Sequence, residues 1–167
     1  DPDSPTIDQP LSALDGVVAS MMHTNNELVF LNLGDIGDHT NYLTLNPEDG
    51  GVKMRFPVSK ISRHSMRQAK YVEPLKKAAH SSSLPIEVIP NSDRDGNIKG
   101  AIYVLMIAGE PEEVSRILRK VVSETFGIQD WDLCSFGYED MPSKRSVKQG
   151  EEPRRVTGEE LMREYES

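Results

Sequence analysis

The sequence specifies an α+β domain: an antiparallel sheet of about five to six strands, helices packed mainly on one face, and mobile termini. Three features carry this reading. Short runs alternate apolar and polar residues, most clearly Val52, Met54, Phe56 and Val58 against Lys53, Arg55 and Pro57. Glu110 to Thr125 repeats its apolar residues at helical spacing. The connections are short and rich in Gly, Asp and Asn, which joins neighbouring runs as hairpins rather than long crossovers. With 167 residues, 37% hydrophobic and 28% charged, the chain suits one domain with a lean core plus tails. The expected division is a mobile segment over 1–10, one domain over 11–141, and a mobile linker with a short terminal helix over 142–167.

Residues 1–10, DPDSPTIDQP, hold three prolines and three aspartates and read as an extended lead-in. Leu11, Leu14, Val17, Val18, Met21 and Met22 follow with near-helical spacing, and Asp8 or Ser12 can cap the start. Asp15-Gly16 interrupts that pattern, so a short helix followed by a buried strand over 17–22 fits equally well. Glu27 to Leu33, Tyr42 to Leu45 and Val52 to Val58 form a three-strand meander across the loops GDIGDHT and NPEDGG. Pro57 has no N–H to donate and places a strand end or a sheet edge there.

Residues 59–80 read as helix, broken or restarted at Pro74, with Ile61, Ala69, Val72, Leu75 and Ala79 on one face. Pro85 to Pro90 and Ala101 to Ala108 are strands; the second is apolar almost throughout, which marks a central strand covered on both faces. Pro111 suits the first turn of the next helix, Val114, Ile117, Leu118, Val121 and Val122 give its buried stripe, and Gly127 stops it. Trp131 to Tyr138 is the last strand. The linker SKRSVKQGEEPRR has almost no apolar residue, and Thr157-Gly-Glu-Glu160 then caps a short terminal helix carrying Leu161, Met162 and Tyr165.

Net charge is −8, but the charge is sorted. Between 53 and 77 lie eight Lys and Arg residues opposed only by Glu73. The polar faces of the strand and the helix there, with Ser59, Ser62 and Ser65, suggest one cationic surface built on Lys53, Arg55, Lys60, Arg63, Arg67 and Lys70, suited to an acidic protein partner or to the chain's own acidic tail. A solvated helix face balanced within the fold accounts for the same residues. RNA would call for interleaved aromatics and a basic balance, and here only Phe56 and Tyr71 are nearby, so nucleic acid ranks below protein. No run approaches the length of a membrane-spanning helix. Cys134 is the single cysteine, so no intrachain disulfide forms, which fits the cytoplasm or another reducing compartment. The sequence opens at Asp1 rather than Met, which fits a removed natural N-terminus and leaves the lack of a signal segment with little weight.

Two acidic loops could hold a divalent cation. Asp35, Asp38 and His39 offer oxygen and nitrogen donors in one loop. Asn91 to Ile98, with Asp93 and Asp95, resembles the first eight positions of a calcium loop, but Ile102 stands where the bidentate Glu belongs and Lys99 adds a cation. Local turns explain both loops without metal, the second as a hairpin on Asp95-Gly96. His23, His39, His64 and His80 match no catalytic spacing, and nothing nominates a catalytic residue or a cofactor.

Over residues 8–126 the order of elements looks like that of small α+β secretion-chaperone-type domains, a likeness of order alone. It implies a dimer that binds unfolded segments of other proteins. The expected function is therefore a non-catalytic protein-binding module, an adaptor, chaperone or assembly factor, dimeric through a sheet edge or a helix face. Met21, Met22, Met54 and Met66 could serve as adaptable contacts, although core filling accounts for at least half of them. A divalent-metal-dependent small enzyme or ligand sensor using the acidic loops, and an RNA-associated protein using Arg63 and Arg67, are the alternatives.

Overall fold

The computed structural model describes residues 6–24, 27–32, 42–59 and 68–140. The lead-in over 1–5, residues 60–67 of the helix expected over 59–80, and the linker and terminal helix of 142–167 lie outside the described residues, and Ser59 ends β4 instead of opening that helix. The elements are β1 (Thr6–Pro10), a 3-10 turn (Leu11–Ala13), α1 (Leu14–Thr24), β2 (Glu27–Asn32), β3 (Tyr42–Glu48), β4 (Gly51–Ser59), α2 (Val72–Ser81), β5 (Ile86–Ser92), β6 (Ile98–Ala108), α3 (Pro111–Phe126) and β7 (Leu133–Asp140). All strands join one antiparallel sheet in the order β1-β7-β2-β3-β4-β6-β5. The α+β class stands, and β2, β3 and β4 pair consecutively as the meander requires.

Two details depart from expectation. Thr6–Pro10 is not a loose lead-in but a sheet strand, in register with β7 from Thr6–Gly137 to Pro10–Leu133. Its short polar sequence has no apolar period of its own; β7 supplies the template. The apolar strand β6 lies one place in from the edge, between β4 and β5. It is nonetheless buried on both faces, through Leu105 and Ile107 on one and Ile102 and Val104 on the other.

Residues 17–22 are helical. Leu14, Val17, Val18 and Met21 fall at i, i+3, i+4 and i+7 and are all buried, while Gly16 sits on the exposed side where its poor helix propensity costs about 1 kcal/mol. Pro74 occupies the first turn of α2, whose Leu75, Ala78 and Ala79 are buried; Ala69, expected on the apolar face, is exposed. In α3, Pro111 opens the helix and Gly127 ends it in the left-handed region at φ 69°. This helix packs between α1 and α2. Together the three cover Val52, Met54, Phe56 and Val58 of β4, with Leu43, Leu45, Leu105 and Ile107 beside them. Phe126 meets the edge of Phe56 with ring centroids 5.4 Å apart.

Four prolines sit inside strands, and one alternation explains them. In an antiparallel ladder the N–H and C=O of a residue point to one side, and those of its neighbours to the other. The Ser59 amide donates to Gln68 Oε1 at 2.8 Å, so it is not given to β6. Stepping by two from Ser59, Pro57 turns its nitrogen away from β6 as well, toward a stretch beyond Thr44–Arg55, the last β3–β4 pair. The edge that Pro57 demands is thus a local one, inside an interior strand. Carried across the registers, the same alternation turns Pro47 toward the side where the β2–β3 ladder has stopped at Val29–Leu45, and turns Pro90 and Pro10 outward from the two ends of the sheet. The Leu11 amide, which donates to the Asp132 carbonyl at 3.0 Å, fixes the same phase for β1 independently. No strand proline removes a ladder bond.

Candidate functional site

The cationic strip begins on the sheet face opposite the helices. There the Lys53 ammonium pairs with Glu48 at 3.2 Å, and Arg55 Nη1 donates to Asn46 Oδ1 at 2.6 Å. Both cations are part-buried, and Tyr42 and Thr44 close by are buried. Within the described residues these two groups are engaged inside the sheet rather than held out to solvent. Lys60, Arg63 and Arg67 lie outside the described residues. Lys70 is exposed and its Nζ stands 5.1 Å from the Tyr71 ring centroid. Of the methionines, Met21 and Met54 are fully buried core and Met22 packs against it; Met66 lies outside the described residues.

Asp35, Asp38 and His39 also lie outside the described residues. Asp93 and Asp95 form the β5–β6 hairpin. The Asp93 carboxylate accepts the amides of Asp95 and Asn97, both at 2.9 Å, and Gly96 supplies the positive φ of 84°. Those amides, Asn97 first, hold the Asp93 carboxyl below its ordinary range. Asp93 therefore has a structural role already, closing an Asx turn. Among the described residues no three His, Cys, Asp or Glu side chains gather as metal ligands.

Cys134 faces the core, and burial, aided by the charge of Asp132, pushes its thiol up to about 11. It stays protonated at neutral pH, unsuited to nucleophilic work. Two shallow grooves remain. One, of about 420 Å³, runs between α1 and β7 and is lined by Gln9, Ala13, Gly16, Val17, Ser20 and Tyr138; Gln9 Nε2 donates to the Tyr138 hydroxyl at 2.9 Å. The other, of about 350 Å³, lies along α3, where Arg119 is held by Asp15 at 2.9 Å and Asp130 at 3.3 Å. Neither groove brings a nucleophile to a base.

The groups that the surface does offer are apolar. Trp131 is 73% and Leu133 69% exposed at the start of β7, beside β1. On the opposite edge strand Val88 is 47% and Ile89 40% exposed. The sequence marks Trp131 to Tyr138 as a strand but leaves its two sides unassigned. Parity was the available signal: Cys134, Phe136 and Tyr138 take the core side, which leaves Leu133, Ser135 and Gly137 on the other. No family model matches the chain, and no curated protein matches it. Among the described residues no helix is long and apolar enough to cross a membrane.

Proposed function

We propose that the protein is a non-catalytic protein-binding module of the adaptor, chaperone or assembly-factor kind, and that it takes apolar segments of its partner at the corner formed by β1 and the start of β7. One observation carries this reading: the chain's single tryptophan stands 73% exposed two residues from a leucine that is 69% exposed. Burying a large aromatic is the strongest single contribution a small interface can make, and leaving it in water has no benefit to the fold. The cationic strip adds an acidic preference only through Lys60, Arg63, Arg67 and Lys70, since Lys53 and Arg55 already have partners.

Because Trp131 is the only tryptophan, its emission reports the site without a label. Titration with a reduced, alkylated and permanently unfolded model protein should shift that emission to the blue and saturate. Trp131→Ala, checked by its melting curve, should weaken capture of a fluorescently labelled sample of the same probe at least about tenfold, the effect of losing one interface anchor. Emission unmoved by the probe, or capture undiminished in the variant, would remove the reading.

A further inference from the structure

The β5 edge presents a different chemistry. The alternation set by Ser59 gives the amides of Glu87, Ile89 and Asn91 to the β6 side, so the N–H and C=O groups of Ile86 and Val88, and the carbonyl of Pro90, point away from the sheet. No described residue takes them. Val88 lies on the helix side of the sheet and Ile89 on the other, so exposed apolar side chains flank the open backbone above and below. Glu87 is the one charged residue in the strand.

We propose that β5 pairs antiparallel with β5 of a second copy of the chain, about a two-fold axis through Val88. This extends the protein-binding reading to self-association, and it does not involve Trp131. The register follows from three constraints. Backbone pairing needs outward residues opposite outward residues, which puts the axis on a residue; an axis at Ile89 or Pro90 spends the central pair on the missing Pro90 donor and runs into the irregular Asn91–Ser92 end, which leaves Ile86, Glu87 or Val88. An axis at Glu87 sets Glu87 against its own copy in the close, non-hydrogen-bonded position, and like charges there repel. An axis at Ile86 reaches back past the start of the strand and gives up Pro90. With the axis at Val88, the two Val88 residues exchange a pair of N–H···O bonds. Each Ile86 amide donates to the Pro90 carbonyl of the second copy, so the missing proline N–H removes only the return bond. Glu87 then faces Ile89, its alkyl stem covering an exposed side chain. The second copy so placed covers both exposed apolar side chains, Val88 by its own counterpart and Ile89 by Glu87, and leaves only the two Ile86 carbonyls without a donor.

Cross-linking reads the register directly. In a hydrogen-bonded antiparallel pair the facing Cα atoms lie about 5.5 Å apart, within reach of a disulfide, whereas residues offset as Glu87 is from its own copy lie about 8 Å apart and out of reach. The full chain carrying Val88→Cys should therefore oxidise to a covalent dimer, and the chain carrying Glu87→Cys should not. Buried Cys134, its thiol raised to about 11, stays out of the exchange. Sedimentation of the unmodified chain should show a concentration-dependent dimer, and Val88→Lys, at an exposed site, should leave a folded monomer with unchanged Trp131 emission. A parent chain that stays monomeric at every concentration, a Val88→Lys variant that dimerises like the parent, or equal cross-linking at 87 and 88 would overturn the proposal. None of these results bears on capture of unfolded segments at Trp131, so the two readings fail separately.

Discussion

The two edge strands of one sheet meet water in different ways. β1 has five residues, and its outward positions are Thr6, Asp8 and Pro10, polar or unable to donate. Side chains tie it down: Gln9 donates to the Tyr138 hydroxyl, and the Ser135 hydroxyl donates to Asp8 at 2.7 Å. Its own exposed apolar residue is Ile7, at 53%, and Trp131 and Leu133 add theirs from the start of β7 and the turn before it. β5 has seven residues, points Ile86 and Val88 outward, and carries its exposed apolar side chains within the strand itself. An edge guarded by a carboxylate discourages strand addition, while an edge with apolar flanks and open backbone groups invites it. Under the two proposals, the corner at β1 takes partner side chains and the edge at β5 pairs backbones.

The largest expected effect tests how β1 is held. Phe136 is fully buried on β7 beneath the β1 side of the sheet, so Phe136→Ala should cost about 3–5 kcal/mol in a chemical-denaturation experiment. Hydrogen exchange in the variant should quicken in β1 before β5. A second change strikes the β5 side. Gly100 pairs with Ser59 on one flank and Asn91 on the other, and a Cβ there would overlap the Val58 carbonyl oxygen. Gly100→Ala must push β6 from β4 and should cost about 1–3 kcal/mol, with self-association weakened and the Trp131 corner left intact.

Much of this comparison was legible beforehand and part was not. Hydropathy alternation marked Val52 to Val58 and helical spacing marked Val114 to Val122, because each pattern reports burial on one side of a regular element. Thr6–Pro10 carries no such pattern; its pairing is a tertiary fact imposed by β7. Residues 17–22, a short apolar run, fit either period, and α1 wins because α3 offers a helical partner. The cationic strip was visible as composition, but only coordinates reveal that Glu48 and Asn46 already engage Lys53 and Arg55. Trp131 was visible as a residue and not as an exposed one.

Smaller effects sharpen the contrast. Tyr138→Phe removes the hydroxyl that accepts from Gln9, a loss of about 1 kcal/mol that should appear as faster exchange in β1 alone. The smallest effect sits in the β5–β6 hairpin. The Asp93 carboxyl is held below its ordinary value of 3.8, so the stabilisation it gives is present above that pH and is lost as pH falls through its folded-state value. A melting series in acid should show Asp93→Asn losing less stability than the parent below pH 3.8, with no difference in slope near neutrality. Because Asp93 is exposed to solvent, the change should be slight.

Backbone hydrogen exchange, read at low and high protein concentration and again with the unfolded probe added, tests the division of labour between the edges most directly. The outward amides of Ile86 and Val88 should slow with concentration alone, while Trp131 and the neighbouring β7 amides should respond only to the probe. Equal protection of both edges under either condition, or no protection at Val88 at any concentration, would contradict the account.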